Sequence, residues 1–423
     1  MRCIAVLCLL LSFSLQAAES DALAISANIQ ARHLPFGTIL DPIFVAPDSD
    51  QIVNYTRCGD SAIWTGHYLA AEAYRYQVTT DPRALSNARG ALTGLTLLAD
   101  VTGTNLLARC AVLATSAYTS GIVQEEAANG SSFGAVNGQA YVWIGNTSRD
   151  QYLGVFFGLA TAYDLIGDAQ VRADSAALAT RLLQFLVDHA WNVVQPDGTI
   201  STTFLIRPDE QLTLLQIGRH LNPAKFDSLY STFSAEAPLM GIPIGVDDSD
   251  PRSSYFKFNL DAIDFDHLLP LESGSFDKFF YKEAYGSFRG TVAGHQNAFF
   301  NMIDRAINGP NPQRDADTIS YLEQWLLRPR RDVPVDLRGV YPACGAAGQA
   351  CNPIPIAQRV PAQFLWQDSP FQLVGGGSGI IESAGIDYIL PYWMARYYGI
   401  LAGDTNSNPN QRRRPVKLPQ HPR

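Results

Sequence analysis

The sequence predicts an all-α protein whose helices pair through short turns into two concentric layers. Three observations carry this. Apolar residues recur with the spacing of a helix face along most of the chain, and alternating strand patterns are few. Some of these helices are apolar nearly all round, as in QYLGVFFGLATAYDLI, whereas their neighbours are apolar on one face only. A hydrophobic content of 47% over 423 residues is ample for a large core. Alternation of fully and half-buried helices is what an inner helical ring wrapped by an outer one requires. No fixed-period repeat of the solenoid kind is present.

The chain opens with Arg2 and the apolar run CIAVLCLLLSFSL, followed by Ala17 and Ala18. This is the layout of a secretory signal, expected over residues 1–18. The run is shorter than the roughly 20 residues that span a bilayer. The mature chain is therefore expected to be secreted or periplasmic, with no membrane span. Residues 19–403 read as one helical domain. Residues 404–423, rich in Pro, Asn and Arg with no apolar pattern, read as a disordered basic tail. A net charge of −9 argues against a nucleic-acid partner. The oligomeric state is not encoded in any recognisable pattern.

Four cysteines follow the signal. Cys344 and Cys351 share one Gly/Pro-rich loop and are expected to staple it, which leaves Cys58 to pair with Cys110. A zinc site built from all four is disfavoured because no CxxC pair exists. No cofactor or metal is expected.

The helices fall in order. Residues 61–79 form the first. Asp81 and Pro82 start the second, Asp capping the free N–H groups and Pro fitting the first turn; it runs to about residue 101. A loop-rich stretch follows to Gly145. Further helices are expected over residues 150–165, 169–190, 210–220, 225–233, 254–271, 276–285, 296–307, 314–327 and 386–401. Residues 198–206 (GTISTTFLI) give the best strand, half of a minor hairpin.

The helix pairs in residues 60–76 (DSAIWTGHYLAAEAYRY), 148–165 (SRDQYLGVFFGLATAYDL) and 252–260 (RSSYFKFNL) resemble those of the six-hairpin (α/α)6 barrels found among glycoside hydrolases and polysaccharide lyases. The resemblance is architectural, spans about residues 60–401 and carries no signature motif. It implies an (α/α)6 toroid with long rim loops, whose inner-helix starts surround a cleft and whose partner is a carbohydrate.

Those helix starts are polar. Asp60, Trp64 and His67 fall on one helical face, where an indole can stack on a sugar and a carboxyl can move a proton; an N-cap and a core histidine are the structural alternatives. Ser148 and Gln151 fit a capping box, with Asp150 in the favourable first turn. Arg149 beside Tyr152 opposes the helix dipole and needs an anion, from a substrate or from an internal partner such as Asp60. Arg252, Tyr255 and Asn259 open a third helix, in which Lys257 and Asp261 are spaced to pair. The acidic stretch 246–251 suits calcium less well than a solvated turn. His295 and Asn297 open a fourth helix, whose face continues through Asn301 and Asp304. GGGSG at residues 375–379 reads as a flexible loop or lid. GSSFG at residues 130–134 lacks the strand-to-helix setting of a nucleophile elbow.

The expected function is a carbohydrate-active enzyme, most simply a glycoside hydrolase with Asp60 and Asp150 as its two carboxylates. A uronate-cleaving lyase using His295, Asn297, Tyr255 and Arg252 is the second expectation. A non-catalytic glycan-binding protein is the third.

Overall fold

A computed structural model describes residues 17–252, 255–345, 348–361 and 363–403. Residues 1–16 of the expected signal (1–18) and the expected basic tail (404–423) lie outside the described residues.

The chain is mainly helical, with fourteen α-helices and several small antiparallel sheets among the described residues. The first helix, α1 (Glu19–Asn28), lies outside the expected helices, because its sequence follows directly on the apolar run at the start of the chain. Two hydrogen-bonded strands, β1 (Asp41–Phe44) and β2 (Ile52–Thr56), lead into α2 (Ser61–Thr79) and α3 (Pro82–Asp100). Asp81 caps α3 through the Arg83 N–H at 2.9 Å, as its Asp-Pro start predicts.

The expected loop between α3 and residue 145 is a correction. It holds β3 (Cys110–Leu113), α4 (Thr119–Glu125), β4 (Ser131–Val136) and β5 (Gln139–Ile144), with β5 central in a three-stranded sheet. The Asn137-Gly138 turn joining β4 to β5 has positive φ at both residues, the geometry of a tight hairpin. Ser132 lies on β4, away from any strand-to-helix elbow.

Then come α5 (Arg149–Leu165) and α6 (Ala169–Asp188), the hairpin β6 (Asn192–Val194) and β7 (Ile200–Thr203), α7 (Pro208–Leu221) and α8 (Pro223–Phe233). Next are α9 (Gly241–Asp248), α10 (Phe256–Leu271), α11 (Ser275–Val292), α12 (Ala298–Asn308), α13 (Pro312–Trp325) and α14 (Ile386–Tyr397). The helix α9 replaces the first half of the expected acidic turn. The helix α11 continues seven residues past its expected end, through Gly286 and Gly290, because its buried stripe continues through Phe288 and Val292. The last helix stops at Tyr397, before the positive-φ Gly399.

Packing explains the two kinds of helix. α2 lies against α3, α5 and α14; α5 against α6, α7 and α10; α7 against α8 and α10; α10 against α11 and α12; α12 against α13 and α14. Helices α2 and α5 are buried on nearly every side, whereas α3 and α6 bury one stripe. α2 and α5 touch backbone to backbone. A Cβ on Gly66 would sit 1.9 Å from the Gly154 carbonyl oxygen, and one on Gly158 would sit 2.3 Å from that of Gly66. The Ile63 N–H donates to Gln151 Oε1 at 3.1 Å, so the two helices run in the same direction with their N-termini side by side.

Both expected disulfides are present. Cys58–Cys110 joins the entrance of α2 to β3, and Cys344–Cys351 closes its loop. No described helix is long and apolar enough to cross a membrane.

Candidate functional site

The parallel packing of α2 and α5 brings Asp60 and Asp150 together. Asp60 ends a 3-10 turn (Cys58–Asp60) immediately before α2, and its side chain caps nothing. Gln151 Nε2 donates to Asp60 Oδ1 at 3.3 Å and to Asp150 Oδ2 at 3.2 Å. One amide nitrogen thus tethers both carboxyl groups. The expected capping box does not form. The Ser148 hydroxyl donates to Asp150 Oδ1, and Gln151 spends its side chain on Ile63 and the two aspartates.

The two carboxyls have different surroundings. Burial, followed by the neighbouring Asp150, pushes Asp60 up to about 6, against the pull of Arg109 and Arg57. Asp150 sits in a polar setting. Arg109 orders it indirectly, donating to Ser148 Oγ at 2.8 Å, to the Gly59 carbonyl at 2.8 Å and to the Asn146 carbonyl at 2.9 Å. The Cys58–Cys110 bond lies directly behind, joining the neighbours of Asp60 and Arg109.

Arg149 finds its anion within the chain, but not in Asp60. It pairs with the fully buried Glu210 at 2.7 Å, across to the N-terminus of α7. Glu210 belongs to an acidic group that the sequence reading missed. Arg207 pairs with Asp209 at 2.7 Å and Asp247 at 3.0 Å, and stands 3.8 Å from Asp261. Lys257 therefore does not hold Asp261; its ammonium lies 5.0 Å from the Phe258 ring centre. Asp261 and Asp264 are fully buried, and none of their four carboxylate oxygens has a hydrogen-bond partner. Burial and the adjoining acids hold both well above the usual carboxylate range. Glu210 is pushed up to about 8, by burial and by Asp209. The signal was present in the sequence as Asp261 and Asp264, three residues apart and so on one face of the helix. No group of three or more His, Cys, Asp or Glu side chains has the geometry to hold a metal ion among the described residues.

The remaining predicted residues divide. Trp64 and His67 follow Asp60 into the interior. Trp64 packs against Phe364, its ring centre 5.1 Å away, and near Phe256 and Trp366. His67 is fully buried, with Nδ1 at 2.9 Å from the Ile63 carbonyl and Nε2 at 3.3 Å from Asn259 Oδ1. Burial lowers it to about 4, so it is a neutral core histidine. Tyr152 is buried too, its hydroxyl accepting from the Leu107 N–H at 3.2 Å. Asn297 caps α12, accepting from the Phe299 and Phe300 N–H groups. Asn301 and Asp304 are bound by Arg289 and Arg314.

Arg252 and Tyr255 line a separate cleft at the start of α10. His295 lies behind them, its ring centre 5.6 Å from that of Tyr255 and 5.2 Å from that of Phe371. Burial and Arg359 lower His295 to about 4. The sequence reading missed Asp368 on the same cleft. Burial pushes it up to about 6, opposed by Arg328 and Arg57. Arg57 lowers both Asp60 and Asp368. The segment at residues 375–379, expected as a flexible loop or lid, is hydrogen-bonded to the chain beside it. The Gly377 N–H donates to the Asp332 carbonyl, and the added Cβ of Gly376 would meet Val333.

No protein-family model, no curated protein and no solved structure matches the chain.

Proposed function

We propose that this protein is an exported glycoside hydrolase, acting on a poly- or oligosaccharide at the N-terminal ends of α2 and α5. The observation that carries the reading is the aspartate pair tethered to one Gln151 nitrogen, with one member raised toward neutrality and the other in a polar setting. Environments that differ in this way give two carboxyl groups an acid and a nucleophile role. The helix packing supports an (α/α)6 toroid: α2, α5, α7, α10, α12 and α14 each touch the next, and α14 touches α2. The two disulfides suit an oxidising compartment outside the cytosol.

The spacing suggests a retaining reaction. Both hydrogen bonds leave one nitrogen, so the bonded oxygens can be no farther apart than the two lengths combined. That is at most the lower end of the roughly 6.5–9.5 Å of inverting pairs, and it accommodates the about 5–5.5 Å of retaining ones. Protonated Asp60 gives its proton to the glycosidic oxygen while Asp150 attacks the anomeric carbon. The leaving sugar departs and a glycosyl ester remains on Asp150. Asp60, now ionised, takes a proton from water, whose oxygen displaces Asp150 and restores both groups.

The test is a cleavage assay of the mature protein on neutral and uronate-containing polysaccharides, following new reducing ends and the absorbance of unsaturated products. Reducing ends without absorbance, lost in Asp60→Asn and Asp150→Asn variants that still fold, are expected. A second reading rests on the neutral His295 beside Tyr255 and Arg252, the groups a β-elimination needs. Both signals together would select it.

A further inference from the structure

A cleft of about 520 Å³ opens between the start of α10 and the loop over residues 348–374. Small-ligand sites fall within roughly 300–1,000 Å³. Arg252, Phe256, Gln349, Asp368 and Gln372 are among the residues that line it.

Two groups lining the cleft are left without a charge or hydrogen-bond partner, one half-exposed and one buried. The Arg252 guanidinium stands 5.5 Å over the Phe371 ring and has no carboxylate within ion-pair distance among the described residues. Its bonds to the rest of the chain run through its backbone: the N–H donates to Asp250, and the carbonyl accepts from Gln349 Nε2 at 2.8 Å. Asp368 Oδ2 is buried with no hydrogen-bond partner. A desolvated polar atom left unpaired costs about 1–3 kcal/mol, and more when charged. The cation and the acid line one cleft without pairing to each other, so a ligand that satisfies both must bring an anion to one and hydroxyl donors to the other. Gln349 and Gln372 also line the cleft, their amide nitrogens donating to the Arg252 and Val374 carbonyls.

We propose that this cleft binds a carboxylated sugar, with Arg252 gripping the carboxylate and Asp368 accepting hydroxyl groups. Guanidinium and carboxylate match in a two-pronged geometry, so a uronate gains specificity there as well as charge attraction. The proposal rests on the carbohydrate reading above and names the substrate class for it.

The experiment is titration calorimetry on the full mature chain carrying Asp60→Asn, so that nothing is cleaved during the measurement. The probes are trigalacturonate and the neutral trisaccharide maltotriose. Trigalacturonate should bind at least tenfold more tightly. Adding Arg252→Ala should remove that preference, Arg252→Lys should restore part of it, and Asp368→Asn should weaken trigalacturonate severalfold; unchanged far-UV circular dichroism verifies the fold of each. Equal affinity for the two sugars, no binding of either by the folded chain, or an unaltered preference in Arg252→Ala would overturn the proposal. Selective binding without any cleavage by the wild-type chain would leave it standing and defeat the hydrolase reading. Cleavage without selective binding would do the reverse.

Discussion

Replacing Gly66 by Ala tests whether the contact between α2 and α5 sets the site. The added methyl would lie 1.9 Å from the Gly154 carbonyl oxygen, 2.5 Å from its carbon and 2.9 Å from the Val155 nitrogen. Comfortable carbon–oxygen approach is about 3.3 Å, so the helices must part by roughly 1.4 Å. All three obstacles are backbone, so no side chain can rotate away. Overpacking of this kind costs about 1–3 kcal/mol, and a backbone obstacle belongs at the upper end. The shift also carries Asp60 away from Gln151 and Asp150, and misplacement by about 1 Å costs on the order of 100-fold in rate. Urea unfolding and initial cleavage rates measured on one preparation check both. A variant within about 0.5 kcal/mol of wild type, with full activity, would refute the claim that this contact is rigid and positions the pair.

Three other outcomes follow from the charges and the disulfide. In the proposed hydrolysis Asp60 donates a proton and titrates near 6, so the rate should fall about tenfold per pH unit above neutrality; a rate flat to pH 9 would remove Asp60 from the acid role. Asp264 and its neighbours are raised in the folded state, so they favour folding while protonated and weaken it as pH rises from about 4, the unfolded value, to about 8, where Glu210 titrates. Asp264→Asn should therefore gain stability relative to wild type between pH 5 and pH 8, and thermal melts showing a constant difference would contradict this. Loss of the Cys58–Cys110 bond by double substitution to Ala should cost about 2–5 kcal/mol. It should also lower turnover, since the bond backs both Asp60 and Arg109; full activity at matched folded fraction would show that the bond serves stability alone.

The helices were legible because burial imposes a 3.6-residue rhythm, and the start of α3 because Asp81-Pro82 has a single local meaning. The sheet of β3, β4 and β5 was not legible. Its strands are short, β4 is largely exposed, and its pairing to β3 through β5 is set by tertiary contact. At the site, Asp60 and Asp150 were readable as polar starts of apolar helices. Their common tether was not, since Gln151 looked like a local cap and serves instead a residue 91 positions away. Arg149 announced an unmet anion, but Glu210 lies on another hairpin and nothing local names it. Asp368 sits in an irregular loop with no periodic frame, so its burial was invisible.

The two ends of the described chain are sewn together. Arg396 of α14 pairs with Glu19 of α1, and Asn28 donates to Glu382 at 2.6 Å, contacts spanning 377 and 354 positions. Glu382 also reaches His33 and Arg331, and the Phe44 N–H donates to the Ile380 carbonyl. The first helix thus has its binding partner at the far end of the message. A nascent chain can build the hairpins in order but cannot seat α1 until the last stretch of the domain has left the ribosome. Contacts so remote in sequence slow folding, because loop closure comes before their reward. They also keep the fold incomplete until synthesis is over.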